Sequence, residues 1–191
     1  MGSFINNLHI HRRSVEVVRS ELAAIITRDA FLVQSGDNWV TIYPDDHESQ
    51  SELAEKLSIV LSAAVFATMV HDDDILLYSL YENGLLTDEF NSNPLYFREQ
   101  LEDEDEEIIS SDGSPDVLVK YALAGTSTGE IRETLDEIKM ETFASEGLTS
   151  LCHLFGIDEA CARASLRYVK GGELIPHRTL IAVSPAKGSG G

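Results

Sequence analysis

The chain has 191 residues, a length that suits one globular domain, or a core domain with a small appendage. Hydrophobic residues make up 43% of it and charged residues 25%, a composition that can bury a core. Its 33 acidic and 14 basic side chains give a net charge of −19, so a nucleic-acid backbone or an anionic membrane surface would repel it. A basic protein is the class of partner that this charge attracts.

The first part of the chain predicts a strand, a helix, a hairpin and a second helix. The alternation in NLHIHRR is typical of a strand, and it puts His9 and His11 on the same face. Apolar residues at helical spacing predict helices over about residues 15–27 and 48–63. Between them, AFLVQ and NWVTIY predict two short strands joined by a turn.

Three further strands follow. AVFATMVH and ILLYSLYE are apolar on both faces, which is typical of strands at the centre of a sheet. Asn83 and Gly84 then predict a two-residue hairpin turn into LLTDEF. The resulting order, β-α-β-β-α-β-β-β, predicts an α+β fold with a mainly antiparallel sheet and two helices on one face.

We expect four segments along the chain. An α+β sandwich domain covers 1–97, an acidic connection 98–116, a small helical subdomain with four short helices 117–184, and a flexible tail 185–191. The first residues lack the apolar core of a secretory signal, and no apolar run approaches the roughly 18 residues of a membrane span. A cytoplasmic protein is therefore expected.

Three consecutive aspartates lie between the two central strands. Aspartate is a favoured turn residue, so the simpler interpretation is a chain reversal. The alternative is a divalent-metal site formed by His71, Asp72 and Asp74, in a metal-dependent hydrolase or an ion-binding protein. Strand alternation sends His71 and Asp72 to opposite faces, so such a site needs further ligands from elsewhere in the chain.

His9 and His11 could supply those ligands, since two metal-binding residues on a strand can use this spacing. The simpler interpretation is that both lie on a solvated strand face. No nucleophile elbow, glycine-rich phosphate loop or HExxH motif is present in the sequence, so an enzyme is the less favoured class.

The most acidic part of the chain is the stretch from Asp88 to Asp116. Its eleven acidic residues and one basic residue contribute −10 to the net charge. A block of like charge is commonly a solvated connection. It can also be a surface for a basic protein, since complementary charge speeds encounter, or a calcium or magnesium site. The candidate partner-binding residues are two aromatic residues and the acidic run that follows them: Tyr96, Phe97, Glu102, Asp103, Glu104, Asp105, Glu106 and Glu107.

Three stretches carry a resemblance: WVTIY (39–43), VHDDDILLYSLYENG (70–84) and DEFNSNPLYF (88–97). Their tryptophan strand, Val-His-Asp-x-Asp turn and Ser-x-Pro-x-Tyr-Phe ending resemble a group of uncharacterised bacterial proteins. The resemblance implies a bacterial origin and no particular activity. In size and acidity the chain is also similar to bacterial immunity proteins that block basic toxins.

The expected function is therefore a non-catalytic acidic binding protein without a cofactor, such as an immunity protein or inhibitor that masks a basic partner. The concentration of charge and the missing catalytic motifs motivate this hypothesis. A divalent-metal function at His71, Asp72 and Asp74 is the alternative.

Overall fold

The computed structural model describes residues 4–96, 111–172, 175 and 177–186. These residues form one seven-stranded sheet and seven helices. The strands are β1 (Ile5–His11), β2 (Ala30–Gly36), β3 (Trp39–Tyr43), β4 (Val65–His71), β5 (Ile75–Glu82), β6 (Leu85–Asn91) and β7 (Ile181–Val183). The helices are α1 (Val15–Ile25), α2 (Gln50–Val60), α3 (Pro115–Leu118), α4 (Thr128–Ile138), α5 (Ala144–Phe155), α6 (Glu159–Arg163) and α7 (Leu166–Lys170).

The sheet has the strand order β6-β5-β4-β1-β3-β2-β7, and every pair of neighbours is antiparallel. The predicted α+β class is confirmed, and the first eight elements follow the predicted order. Strand β7 was not predicted. It is only three residues long and pairs with β2 at the far edge of the sheet.

Helices α1 and α2 cover one face of the sheet. Ser14 and Ser49 cap them, each accepting a hydrogen bond from a backbone N–H in the first turn. Their buried side chains, such as Leu22 and Leu57, pack with Leu8 and other apolar residues that point to this face. The spacing of apolar residues that predicted these helices therefore also sets the side that each buries.

Helices α3 to α7 cover the opposite face, and they share a core with the sheet. Phe66 of β4 lies with its ring 5.3 Å from that of Phe155 in α5, and the Trp39 indole N–H donates to the Phe155 carbonyl at 2.8 Å. Five helices stand where four were expected. The proposed boundary between an α+β domain and a helical subdomain stays a prediction. No helix among the described residues is long and apolar enough to cross a membrane.

The helical layer overturns the interpretation of His9 and His11 as residues of a solvated strand face. His9 is fully buried and His11 nearly so. The His11 ring lies 4.7 Å from Trp39 and 5.3 Å from Tyr121, which follows α3. Sequence alternation identified the shared face correctly, but it could not show that residues more than 100 positions later cover it.

The β5–β6 hairpin provides a test of the turn chemistry. Asn83 and Gly84 have φ of 50° and 81°, as a two-residue type I′ turn requires. A Cβ at position 84 would also lie 2.9 Å from Ile59 Cδ1. We expect Gly84→Val to lower the free energy of unfolding by about 1 to 3 kcal/mol through backbone strain, measured by urea denaturation.

Asn83→Gly is the matched control for this prediction, because glycine adopts the same positive φ without strain. Its effect should stay within about 0.5 kcal/mol. If Gly84→Val and Asn83→Gly lowered the free energy of unfolding equally, backbone strain in the turn would not be the cause of the loss.

Candidate functional site

The aspartate run forms the turn between β4 and β5. Asp72 and Asp73 have φ of 53° and 63°, and the Asp74 N–H donates to the His71 carbonyl at 3.1 Å. Positive φ at both central residues is the geometry of a type I′ β-turn, which here lies within the three-residue loop between the paired residues His71 and Ile75. Aspartate tolerates that geometry better than most residues, which explains the composition of the run.

Asp73 has a second role that sequence reasoning missed. Its carbonyl accepts a hydrogen bond from the Ala144 N–H, and its Oδ1 accepts one from the Ser145 N–H, both at 2.8 Å. These are the first backbone groups of α5, whose own N-cap residue, Phe143, has no side chain that can accept them. Asp73 therefore caps α5 from a distant hairpin, and its carboxylate lies at the positive end of the helix dipole.

Two sets of predicted site residues meet beside this turn. The His71 ring lies 4.9 Å from that of Phe4 and 5.9 Å from that of Tyr96. Burial, followed by the charges of Asp74 and Asp72, raises the pKa of Tyr96 above its usual value. The structure thus brings Tyr96, a predicted partner-binding residue, next to the three residues of the alternative metal site.

His9 and His11 do not join this group. In the register of β1 and β4, His9 lies opposite Phe66, which is five positions before His71, about 17 Å along the strand. The two side chains also point to opposite faces of the sheet. Within the described parts of the chain, no group of three or more His, Cys, Asp or Glu side chains is arranged to hold a metal ion. The metal alternative stays a prediction.

The other predicted partner-binding residues, Phe97 and Glu102 to Glu107, lie outside the described residues. The described chain resumes at Ser111, whose carbonyl accepts a hydrogen bond from the Asn91 N–H at the end of β6. Asp112 then forms a β-bridge with Phe90. The acidic run is thus joined at its C-terminal side to the outer strand β6.

The sheet is divided by charge. From Leu57 to Phe97 the sequence contains no lysine or arginine. This range includes β4, β5 and β6, which are three consecutive strands at one side of the sheet. These strands and their turns carry six carboxylates: Asp72, Asp73, Asp74, Glu82, Asp88 and Glu89. One side of the sheet therefore presents negative charge alone from its own strands.

On the side of the sheet that faces α2, an apolar strip lies beside Glu89, whereas Glu82 and Asp88 point to the helical layer and accept hydrogen bonds from Tyr121 and Tyr78. Helix α2 packs against β4 and β5 and leaves the outer strand partly exposed. Leu86 on β6 is 47% exposed, and Ile59 on α2 is 53% exposed. Tyr81 lies opposite Leu86, and burial, followed by the charges of Glu55 and Glu89, raises its pKa. We call this surface the acidic sheet face and define it by Glu55, Ile59, Leu77, Tyr81, Leu86 and Glu89.

A cleft of about 720 Å³ adjoins the acidic sheet face where β1 begins and β4 ends. Phe4, Met69 and His71 line it from the strands, and Arg167 and Tyr168 line it from α7. Met69 pairs directly with Leu77 of β5, so the cleft borders the acidic sheet face at these two strands. Together they offer apolar contact bordered by charged side chains.

His9 is the centre of a buried polar chain rather than an accessible site. Its Nδ1 lies 2.8 Å from Thr41 Oγ1, and its Nε2 lies 3.2 Å from Thr68 Oγ1. Because the Thr41 hydroxyl donates onward to Ser35 Oγ at 2.7 Å, the network assigns the proton to His9 Nδ1 and makes Nε2 the acceptor. Burial lowers the pKa of His9 to about 3, so the ring is neutral at physiological pH.

Known proteins supply no functional residue that can be transferred to this chain. No protein-family model, no curated protein and no solved structure matches it. The charge, exposure and contacts of its own residues therefore carry the functional assignment.

The capping role of Asp73 can be tested by mutation. Asp73→Ala removes the acceptor for the Ser145 N–H and should lower the free energy of unfolding by about 1 kcal/mol more than Asp72→Ala does. The control is matched because both residues have positive φ, so both variants carry the same backbone penalty. Chemical denaturation of the two variants measures the difference, and equal losses would show that the cap contributes nothing.

His9 predicts a specific dependence of stability on pH. The unfolded side chain takes up a proton near its ordinary pKa of 6.5, whereas the folded one resists protonation until about pH 3. Between these values the unfolded state binds more protons, so stability falls as the pH is lowered, by up to about 1.4 kcal/mol per pH unit from this group.

Denaturation of the wild type and of His9→Gln across pH 7 to 3 measures this contribution as a difference in slope. The variant should be less stable at neutral pH and lose less stability on acidification. His47→Gln, which changes an exposed histidine, should keep the wild-type slope. A His9→Gln slope equal to the wild-type slope would contradict the prediction.

Proposed function

We propose that this protein is a non-catalytic binding protein that masks a basic protein partner, in the manner of an immunity protein or inhibitor. One observation carries the proposal: three adjacent strands at one side of the sheet bear six carboxylates and neither lysine nor arginine. Such an arrangement attracts a cationic surface and increases the rate of encounter with it.

Two lysines close to this side of the sheet form ion pairs with other carboxylates. Lys56 on α2 forms an ion pair with Glu52 of its own helix, with 3.5 Å between Nζ and Oε2. Lys139, which ends α4, forms an ion pair with Asp112, with 2.6 Å between Nζ and Oδ1. Both amino groups are engaged with carboxylates that lie outside the six on β4 to β6. Lys139 Nζ also lies 5.8 Å from the centre of the Phe90 ring on β6, so one cation adjoins the outer strand, and the six carboxylates outnumber it.

The acidic run from Glu102 to Glu107 also supports the proposal, since it supplies six further carboxylates. In sequence it lies between Tyr96, which contacts His71, and Ser111, which hydrogen bonds to the end of β6. Tyr96 offers an aromatic contact beside His71, and aromatic residues are enriched where binding energy concentrates.

The alternative function, a metal-dependent hydrolase or ion-binding protein, has less support. It would use His71, Asp72 and Asp74, yet the turn conformation and the capping of α5 by Asp73 account for the aspartate run on structural grounds. It stays a hypothesis that metal analysis of the purified protein, together with thermal melts in added divalent ion, would decide.

Capture of the partner from a native bacterial lysate, followed by purification and calorimetric titration, tests the proposal. We expect a basic protein whose affinity falls at least tenfold between about 0.05 M and about 0.5 M salt, because ions screen exposed charges. Neutralising three residues of the acidic run, in the variant D103N, E104Q, D105N, should weaken binding at low salt by tenfold or more.

A matched control neutralises three exposed carboxylates on α4, in the variant E133Q, D136N, E137Q. These residues lie on the layer that covers the other face of the sheet, so the affinity should change less than threefold. A change of that size is typical of exposed charges outside the centre of an interface. The proposal would be wrong if no basic protein were captured. It would also be wrong if the affinity changed neither with salt nor with the acidic-run variant.

A further inference from the structure

We infer that the partner docks on the acidic sheet face through a segment in which lysine or arginine alternates with apolar side chains. This inference rests on the proposed function and names the surface and the chemistry of its ligand. The acidic sheet face combines two properties: exposed apolar side chains on α2 and β6, and a carboxylate from each of these two elements.

The apolar strip is densest at the hairpin, where its members are neighbours. Leu86 lies directly opposite Tyr81, and a Cβ at Gly84 would meet the Ile59 side chain at 2.9 Å, which brings α2 up to the hairpin. Leu77 lies on the same face of β5, beyond Ser79, on the side of the cleft. Exposed apolar side chains in such a group release water when a partner covers them.

The carboxylates select for positive charge at the same place. Glu55 lies on α2, which packs against β5, and Glu89 lies opposite Ser79, the next residue on the Tyr81 face of β5. The charges of both raise the pKa of Tyr81. A lysine or arginine that lies over Tyr81 would contact a carboxylate on either side and the face of the aromatic ring. An acidic or neutral segment would gain only the apolar contact.

The face of β6 is better suited to docking than its edge. Thr87 interrupts the pairing of β6 with β5, since the register shifts between Leu80 and Tyr81, and its hydroxyl donates to the Leu80 carbonyl at 3.1 Å. Ser111 and Asp112 already pair with the last part of the strand. A bulge and a covered end both hinder the addition of another strand, so recognition through side chains is favoured.

Charge also argues against two other occupants. A second copy of the chain would bring another net charge of −19 to the same surface. The sequence of residues 97–110 contains seven acidic residues and one basic residue, so like charge disfavours it as the occupant. A basic partner segment is the occupant that the surface fits.

Nuclear magnetic resonance titration of the full chain with defined peptides tests the inference. The probe is an octapeptide of alternating lysine and leucine, compared with alternating glutamate and leucine and with alternating lysine and serine. The first peptide should shift the amide resonances of Leu77, Tyr81, Leu86 and Glu89, and the two controls should bind at least tenfold more weakly. The double variant E55Q, E89Q should weaken the first peptide by tenfold or more.

The variant E133Q, E137Q on α4 serves as the control and should leave the titration unchanged. The inference would be overturned if the resonance shifts centred on another surface, or if the lysine-serine peptide bound equally well. It would also be overturned if raising the protein concentration alone produced the same shifts. If the natural partner binds in a salt-dependent way and E55Q, E89Q leaves its affinity unchanged, the docking surface is wrong while the proposed function stands. Failure to find any basic partner removes the proposed function itself.

Discussion

The central strand β1 is buried on both faces, and one of those faces is polar. Asn7, His9 and His11 point into the interface between the sheet and helices α3 to α7, where an unpaired polar group would cost several kcal/mol, about 2 to 7 by transfer measurements. The Asn7 amide nitrogen donates to the carbonyls of Ala162 and Ala164 at 2.7 and 2.9 Å, and His9 bonds to threonines on both neighbouring strands. The bonds of His9 join β1 to its two neighbouring strands, whereas those of Asn7 attach the helical layer to the sheet. Only half of the Asn7 amide is satisfied, since its Oδ1 is buried without a hydrogen-bond partner among the described residues. The two bonds of its nitrogen specify the placement of the layer as apolar contacts alone would not.

The unequal coverage of the two faces follows from this placement. The helical layer reaches across β4 and β5 to Tyr78 and Phe90, whose rings stack 5.5 Å apart beneath it. On the opposite side only α1 and α2 are available among the described elements, and they centre on the strands around β1. The outer part of β5 and β6 is left partly exposed there. Coverage and charge thus make the same part of the sheet available to a partner.

Sequence patterns predicted the strands, turns and helices that depend on interactions between residues close in sequence. The alternation and the turn residues identified β1 to β6, and apolar spacing identified α1 and α2, because each depends on residues close in sequence. The groupings that matter for the site depend on distant residues instead. Asp73 caps a helix 72 positions later, and Tyr81 meets carboxylates from α2 and from β6. One signal was present: α5 follows Phe143, which cannot cap it, so a cap from elsewhere in the chain was needed.

The contact between Asn7 and Ala162 has a consequence for the order of folding, since it joins residues 155 positions apart. The strands of the hairpins β2–β3, β4–β5 and β5–β6 pair across short loops. The helical layer, in contrast, can cover β1 only after most of the chain has been synthesised. During synthesis, the sheet would therefore emerge with His9 and its threonine partners still in contact with water. The polar stripe of β1 suits that stage, because an apolar stripe of the same size would enlarge the apolar surface through which incomplete chains associate.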